Sequence, residues 1–66
     1  MPTTVYRVDV TREGRWWAIQ VPEIPGGFSQ ARWRGEVGLM ARDLIASLLD
    51  VKPQDVAIDV HYLDED

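Results

Sequence analysis

Apolar and polar residues alternate through the opening V-Y-R-V-D-V of the chain. Tyr6, Val8 and Val10 fall on one side, and Val5, Arg7, Asp9 and Thr11 on the other. A period of two marks a strand with one buried face, and it predicts one from about Thr4 to Arg12. Glu13-Gly14 then turns the chain, because Gly14 can take the positive φ of a hairpin loop. Alternation resumes from Arg15 to Val21, with Trp17, Ile19 and Val21 inward and Trp16, Ala18 and Gln20 outward. It stops where Pro22 and Pro25 cannot donate to a ladder and Gly26-Gly27 allows a tight reversal.

A third strand over Phe28 to Trp33 follows less from alternation than from need, since a lone hairpin is marginal and a helix must have a sheet to cover. From Glu36 to Leu49 the period changes. Val37, Met40, Ala41, Leu44, Ile45 and Leu48 recur at helical spacing and form one apolar stripe. The start of this helix is poorly written: Trp33-Arg34-Gly35 stands where a capping Ser, Thr or Asp is preferred, and Arg34 lies near the positive end of the helix dipole. Glu36 in the first turn offsets part of that. Lys52-Pro53-Gln54-Asp55 is a turn, and a last strand alternates from Val56 to Tyr62. The expected fold class is α+β, a single β-β-β-α-β domain over residues 1–66. An antiparallel meander is joined by a final strand through a helical crossover, which suits parallel pairing, and the helix lies on one sheet face.

Sixty-six residues make one thin-margined domain, and the absence of cysteine excludes disulfides and thiolate metal sites. One histidine leaves no ordinary zinc site, so neither a metal nor a cofactor is expected. The net charge of −4, with Asp64-Glu65-Asp66 at the end, repels phosphate backbones and suits a basic partner protein. No apolar run approaches the ~20 residues of a membrane span, and Met1-Pro2-Thr3-Thr4 is no signal peptide, so a cytoplasmic location is expected. The sheet face opposite the helix carries Val5, Trp16, Ala18 and Ala57 among charged residues. Such a mixed face fits either solvent or self-association, and a homodimer or higher homo-oligomer is expected.

The string G-R-W-W-A-I-Q-V-P-E-I-P-G-G-F-S-Q, followed by a helix containing M-A-R-D-L-I, resembles the N-terminal domain of HicB-type antitoxins over about residues 5 to 62. That family has a truncated ribonuclease-H-like fold and sequesters a small basic RNA-cleaving toxin, HicA, by masking its active site. The resemblance implies a HicB-like antitoxin or antitoxin-derived binding domain in a toxin–antitoxin system. It also implies that Val21, Pro22, Glu23, Pro25 and Gly26 shape a loop. Members usually place Thr or Ser and Leu where Trp33-Arg34-Gly35 stands. They also carry a DNA-binding segment after this domain, for which the chain has no counterpart, so direct DNA binding is not expected. For toxin contacts the expected residues are Trp16, Glu23, Asp64, Glu65 and Asp66. The alternative is an orphan homo-oligomerisation or regulatory module without a toxin.

A ribonuclease-H-like enzyme would need carboxylates from the first strand, the first helix and the last strand, and Asp9, Glu36 and Asp59 lie on those elements. Asp9 reads instead as the ion-pair partner of Arg7, with Arg12 or Arg15 across the hairpin. His61 sits on the polar side of the last strand, Met40 belongs to the helix stripe, and no nucleophile motif or phosphate loop is present. The reading is of a binding domain, not an enzyme.

Overall fold

Four strands and one helix account for most of the computed structural model, which describes residues 4–64. Strand β1 spans Val5–Glu13, β2 Trp16–Gln20 and β3 Phe28–Ala31; helix α1 spans Val37–Leu49 and strand β4 Ala57–Tyr62. Short 3-10 turns occupy Arg34–Glu36 and Pro53–Asp55. The sheet order is β3-β2-β1-β4. Strands β1, β2 and β3 form an antiparallel meander, and β4 lies parallel to β1 on its other side. The fold is therefore a small α+β domain on a mixed sheet, with the crossover through α1 that the sequence implied.

Register fixes which side chains meet. Val10 lies opposite both Ile19 and Tyr62, and Val8 opposite Val60. The hairpin turns on Gly14 and Arg15, one residue later than the pattern suggested, with Gly14 at φ 60°. The core is Val8, Val10, Ile19, Val21, Ala31, Val37, Ala41, Ile45, Ala46 and Val56, with Tyr6, Trp17, Met40, Leu44, Ile58, Val60 and Tyr62 packed around it. Its side chains are mostly small, as expected where one short helix approaches a four-stranded sheet closely.

Two expectations about burial need correction. Leu48 does not join the buried stripe and is 45% exposed, whereas Ala46 is buried. At 100° per residue, the buried arc of α1 rotates from the side of Val37 and Ala41 to that of Ile45 and Ala46. A straight helix crossing a twisted sheet drifts in this way, and Leu48 is left on the rim. Trp17 points inward but is only half-buried. It lies at the hairpin end, where its ring meets Tyr62 edge-on at 5.8 Å between centroids.

The proline-interrupted loop is held by its own backbone. Val21 N–H donates to Gly27 O at 2.8 Å, Ile24 N–H to Val21 O at 3.1 Å, and Gly27 N–H to Ile24 O at 3.0 Å. A Cβ on Gly27 would stand 2.8 Å from Val21 O and 2.9 Å from Ile24 O, so no side chain fits. Gly26 takes φ 78°.

The helix start solves the problem its sequence poses. No side chain caps it, but the Glu36 carboxylate reaches back to accept from Arg32 N–H at 3.0 Å. The Arg34 guanidinium lies 4.1 Å over the Tyr62 ring, where a cation–π contact offsets its awkward place near the dipole. At the far end Asp50 closes the helix in the left-handed region, at φ 57°, and Val51 N–H donates back to Ala46 O at 3.0 Å.

Candidate functional site

Helix α1 covers one face of the sheet, and the other face is open. The register places Gln20 opposite both Phe28 and Asp9, and Asp9 opposite His61. A second row runs Gln30, Ala18, Thr11, and near the hairpin Trp16 faces Glu13. Arg7 faces Asp59 across the β1–β4 pair. The middle of this face is thus polar. Its large apolar residues, Val5, Trp16 and Phe28, are 54%, 41% and 66% exposed and sit at separate places on its rim.

The central polar side chains pair with one another. Arg7 Nε lies 2.7 Å from Asp9 Oδ1, and His61 Nε2 lies 3.0 Å from Asp59 Oδ2. Cross-strand neighbours follow the same pattern, since Arg7 faces Asp59 and Asp9 faces His61. An exposed pair such as His61–Asp59 contributes about 0–1 kcal/mol at most. The expected Arg7–Asp9 pair is present, but neither Arg12 nor Arg15 adds to it. Arg12 donates from Nε to Gly14 O and places its guanidinium 4.7 Å over the Trp17 ring.

Asp9, Glu36 and Asp59 do not converge. The two aspartates are engaged by Arg7 and His61 on the open face, whereas Glu36 is turned to the backbone of Arg32. Among the described residues no three His, Asp or Glu side chains are grouped to hold a metal ion.

Two of the residues expected to meet a partner turn out to cap strand β1. That strand is nine residues long and overhangs its neighbours at both ends. Its odd-numbered N–H groups face β2 and its even-numbered ones face β4, as Leu63 N–H donating to Val10 O shows. Past the end of β2, Glu23 Oε1 accepts from Arg7 N–H at 3.0 Å. Past the end of β4, Asp64 Oδ2 accepts from Arg12 N–H at 2.6 Å. Each carboxylate replaces a missing strand as acceptor, at opposite corners of the sheet. Trp16 shares the hairpin end with Asp64, and Glu23 lies at the other end. Glu65 and Asp66 fall outside the described residues.

A feature that periodicity does not reveal adjoins Trp16. One register step beyond the Trp17–Ala31 pair, Arg32 comes beside Trp16, and Arg15 follows the hairpin turn. The three line an open hollow of about 240 Å³. Arg12, Arg15, Arg32 and Arg34 therefore gather at one end of the molecule. The signal was present in the sequence: the four flank the hairpin turn and the end of the third strand, which any antiparallel meander brings together. A second hollow, of about 390 Å³, lies beside the start of β4 and is lined by Gln54, Asp55, Val56 and Ala57. Comparison with family models, curated proteins and solved structures gives no match. Among the described residues no helix is long and apolar enough to cross a membrane.

Proposed function

We propose that this chain is a HicB-like binding domain that sequesters a small basic toxin of the HicA type in the cytoplasm. The observation that carries the reading is the G-R-W-W-A-I-Q-V-P-E-I-P-G-G string together with the loop it builds. Its glycine at position 27 tolerates no side chain, and its glutamate, Glu23, closes the end of the central strand. A motif that specifies a loop at this cost is consistent with the fold the resemblance implies. The acidic balance of −4 supplies complementarity to a basic partner, which acts mainly on encounter and orientation. Glu23 and Asp64 cap β1 and remain exposed, and Trp16 offers its indole at the hairpin end; because Arg12, Arg15, Arg32 and Arg34 gather there, the acidic complementarity comes from the rest of the surface.

Co-expression tests the proposal. A short basic protein encoded beside this chain should arrest growth when expressed alone, and this chain should relieve the arrest and co-purify with it. Recovery of this chain by itself in a pull-down, with no relief of toxicity, would favour the second reading, a homo-oligomerisation module. That reading draws on Val5, Trp16 and Phe28 standing exposed on a face that no element of the chain covers.

A further inference from the structure

The hollow beside Trp16 differs from the rest of the open face in one respect. Arg7 and His61 have carboxylate partners there, whereas the guanidiniums of Arg15 and Arg32 have none among the described residues. Arg12 and Arg34, the other cations of that end, lie over Trp17 and Tyr62. Arg15 and Arg32, without a carboxylate partner among the described residues, thus line an open hollow of about 240 Å³ together with the partly exposed Trp16. We propose that this hollow is a nucleotide-binding site, taking a single nucleobase on the Trp16 indole and the attached phosphate between Arg15 and Arg32.

The chemistry of the three side chains carries the assignment. An indole offers a flat, sequence-tolerant stacking surface for a base. A guanidinium matches two phosphate oxygens with two parallel N–H donors, and two of them converge on one dianion. Position supports the same reading: Arg32 follows the last ladder pair, Trp17–Ala31, by one residue, and its backbone N–H donates to the Glu36 carboxylate, so its side chain is presented from a held point. The net charge limits the site to a short ligand. A chain of −4 gains little along an extended phosphate backbone, so the occupant is one nucleotide, free or at the end of a single strand. Glu13 faces Trp16 across the hairpin, does not line the hollow, and holds the affinity down by repulsion.

The test is a titration of the isotope-labelled chain followed by amide and indole N–H chemical shifts. Adenosine monophosphate, inorganic phosphate, a 5′-phosphorylated oligoadenylate and an Asp/Glu peptide serve as probes. Adenosine monophosphate is expected to shift the Trp16 indole and the Arg32 amide, with a dissociation constant on the order of 1 mM. Arg15→Gln or Arg32→Gln should weaken it about tenfold, Trp16→Leu should abolish the preference for the nucleotide over phosphate, and Glu13→Gln should tighten it. Because all four side chains are exposed, the remaining resonances should stay in place. Tighter binding of the oligonucleotide would identify a strand end as the source, and equal binding a free nucleotide. Absence of these shifts at ten millimolar nucleotide would overturn the proposal, as would a response to the acidic peptide alone.

Discussion

Glu23 and Arg7 are joined by a hydrogen bond from the Arg7 backbone N–H to Glu23 Oε1, 3.0 Å long. It lies where a continued second strand would have offered the acceptor. Pro22 ends that strand, and the residue after the proline supplies in its side chain what the backbone no longer provides. The V-P-E-x-P-G string is thus a device for stopping one strand while keeping its longer neighbour satisfied.

Removing that acceptor should be felt locally. Glu23→Ala should lower stability by about 1 kcal/mol, and Glu23→Gln by less, since the amide oxygen still accepts. Hydrogen exchange at the Arg7 amide should accelerate in the alanine variant. An unchanged exchange rate would show that the carboxylate does not hold that group in solution.

The loop also sets an order among glycines. Gly27→Ala should destabilise by about 2–3 kcal/mol or more, because its Cβ would collide with two backbone oxygens rather than with a movable side chain. Gly14→Ala meets nothing within 4 Å and bears only its positive φ, about 1–2 kcal/mol. Urea unfolding of the two variants should rank them in that order.

The two tryptophans of β2 should separate. Trp17→Ala removes the ring that Tyr62 and Arg12 pack against and should cost about 3 kcal/mol. Trp16→Ala should alter stability by less than about 0.5 kcal/mol while weakening partner binding. Equal losses of thermal stability would place both rings in the core and remove Trp16 from any interface.

Asp50 closes α1 at φ 57°, a conformation glycine adopts without strain. Asp50→Gly should therefore raise stability by up to about 1 kcal/mol, read as a higher midpoint in thermal unfolding. A lower midpoint would mean that the aspartate contributes more than its backbone angle costs.

Strand identity was legible in this sequence because Val8, Val10, Ile19 and Val21 keep a strict period of two. The helix was legible because Val37, Ala41 and Ile45 keep a period near four. What periodicity does not carry is the third dimension of the helix, and the drift of its buried arc exposed Leu48 and buried Ala46. Nor does it reveal side chains that act as backbone. Glu23 and Asp64 stand in the sequence as expected toxin contacts on a loop and a tail, and both also accept from β1, because a strand's overhang depends on where its neighbours stop. The proximity of Arg15 and Arg32 is hidden in the sequence for a related reason. They lie seventeen positions apart in the chain and become neighbours only through the Trp17–Ala31 register.

On the function proposed here, this chain occupies and silences a basic RNA-cleaving toxin. The most direct measurement is RNA cleavage by the purified neighbouring toxin, followed while this chain is titrated into it. Cleavage should fall linearly and end near one chain per toxin, and Trp16→Ala should shift the curve to higher concentration without changing the fold. Cleavage that persists unchanged with this chain in tenfold excess would show that it is no antitoxin.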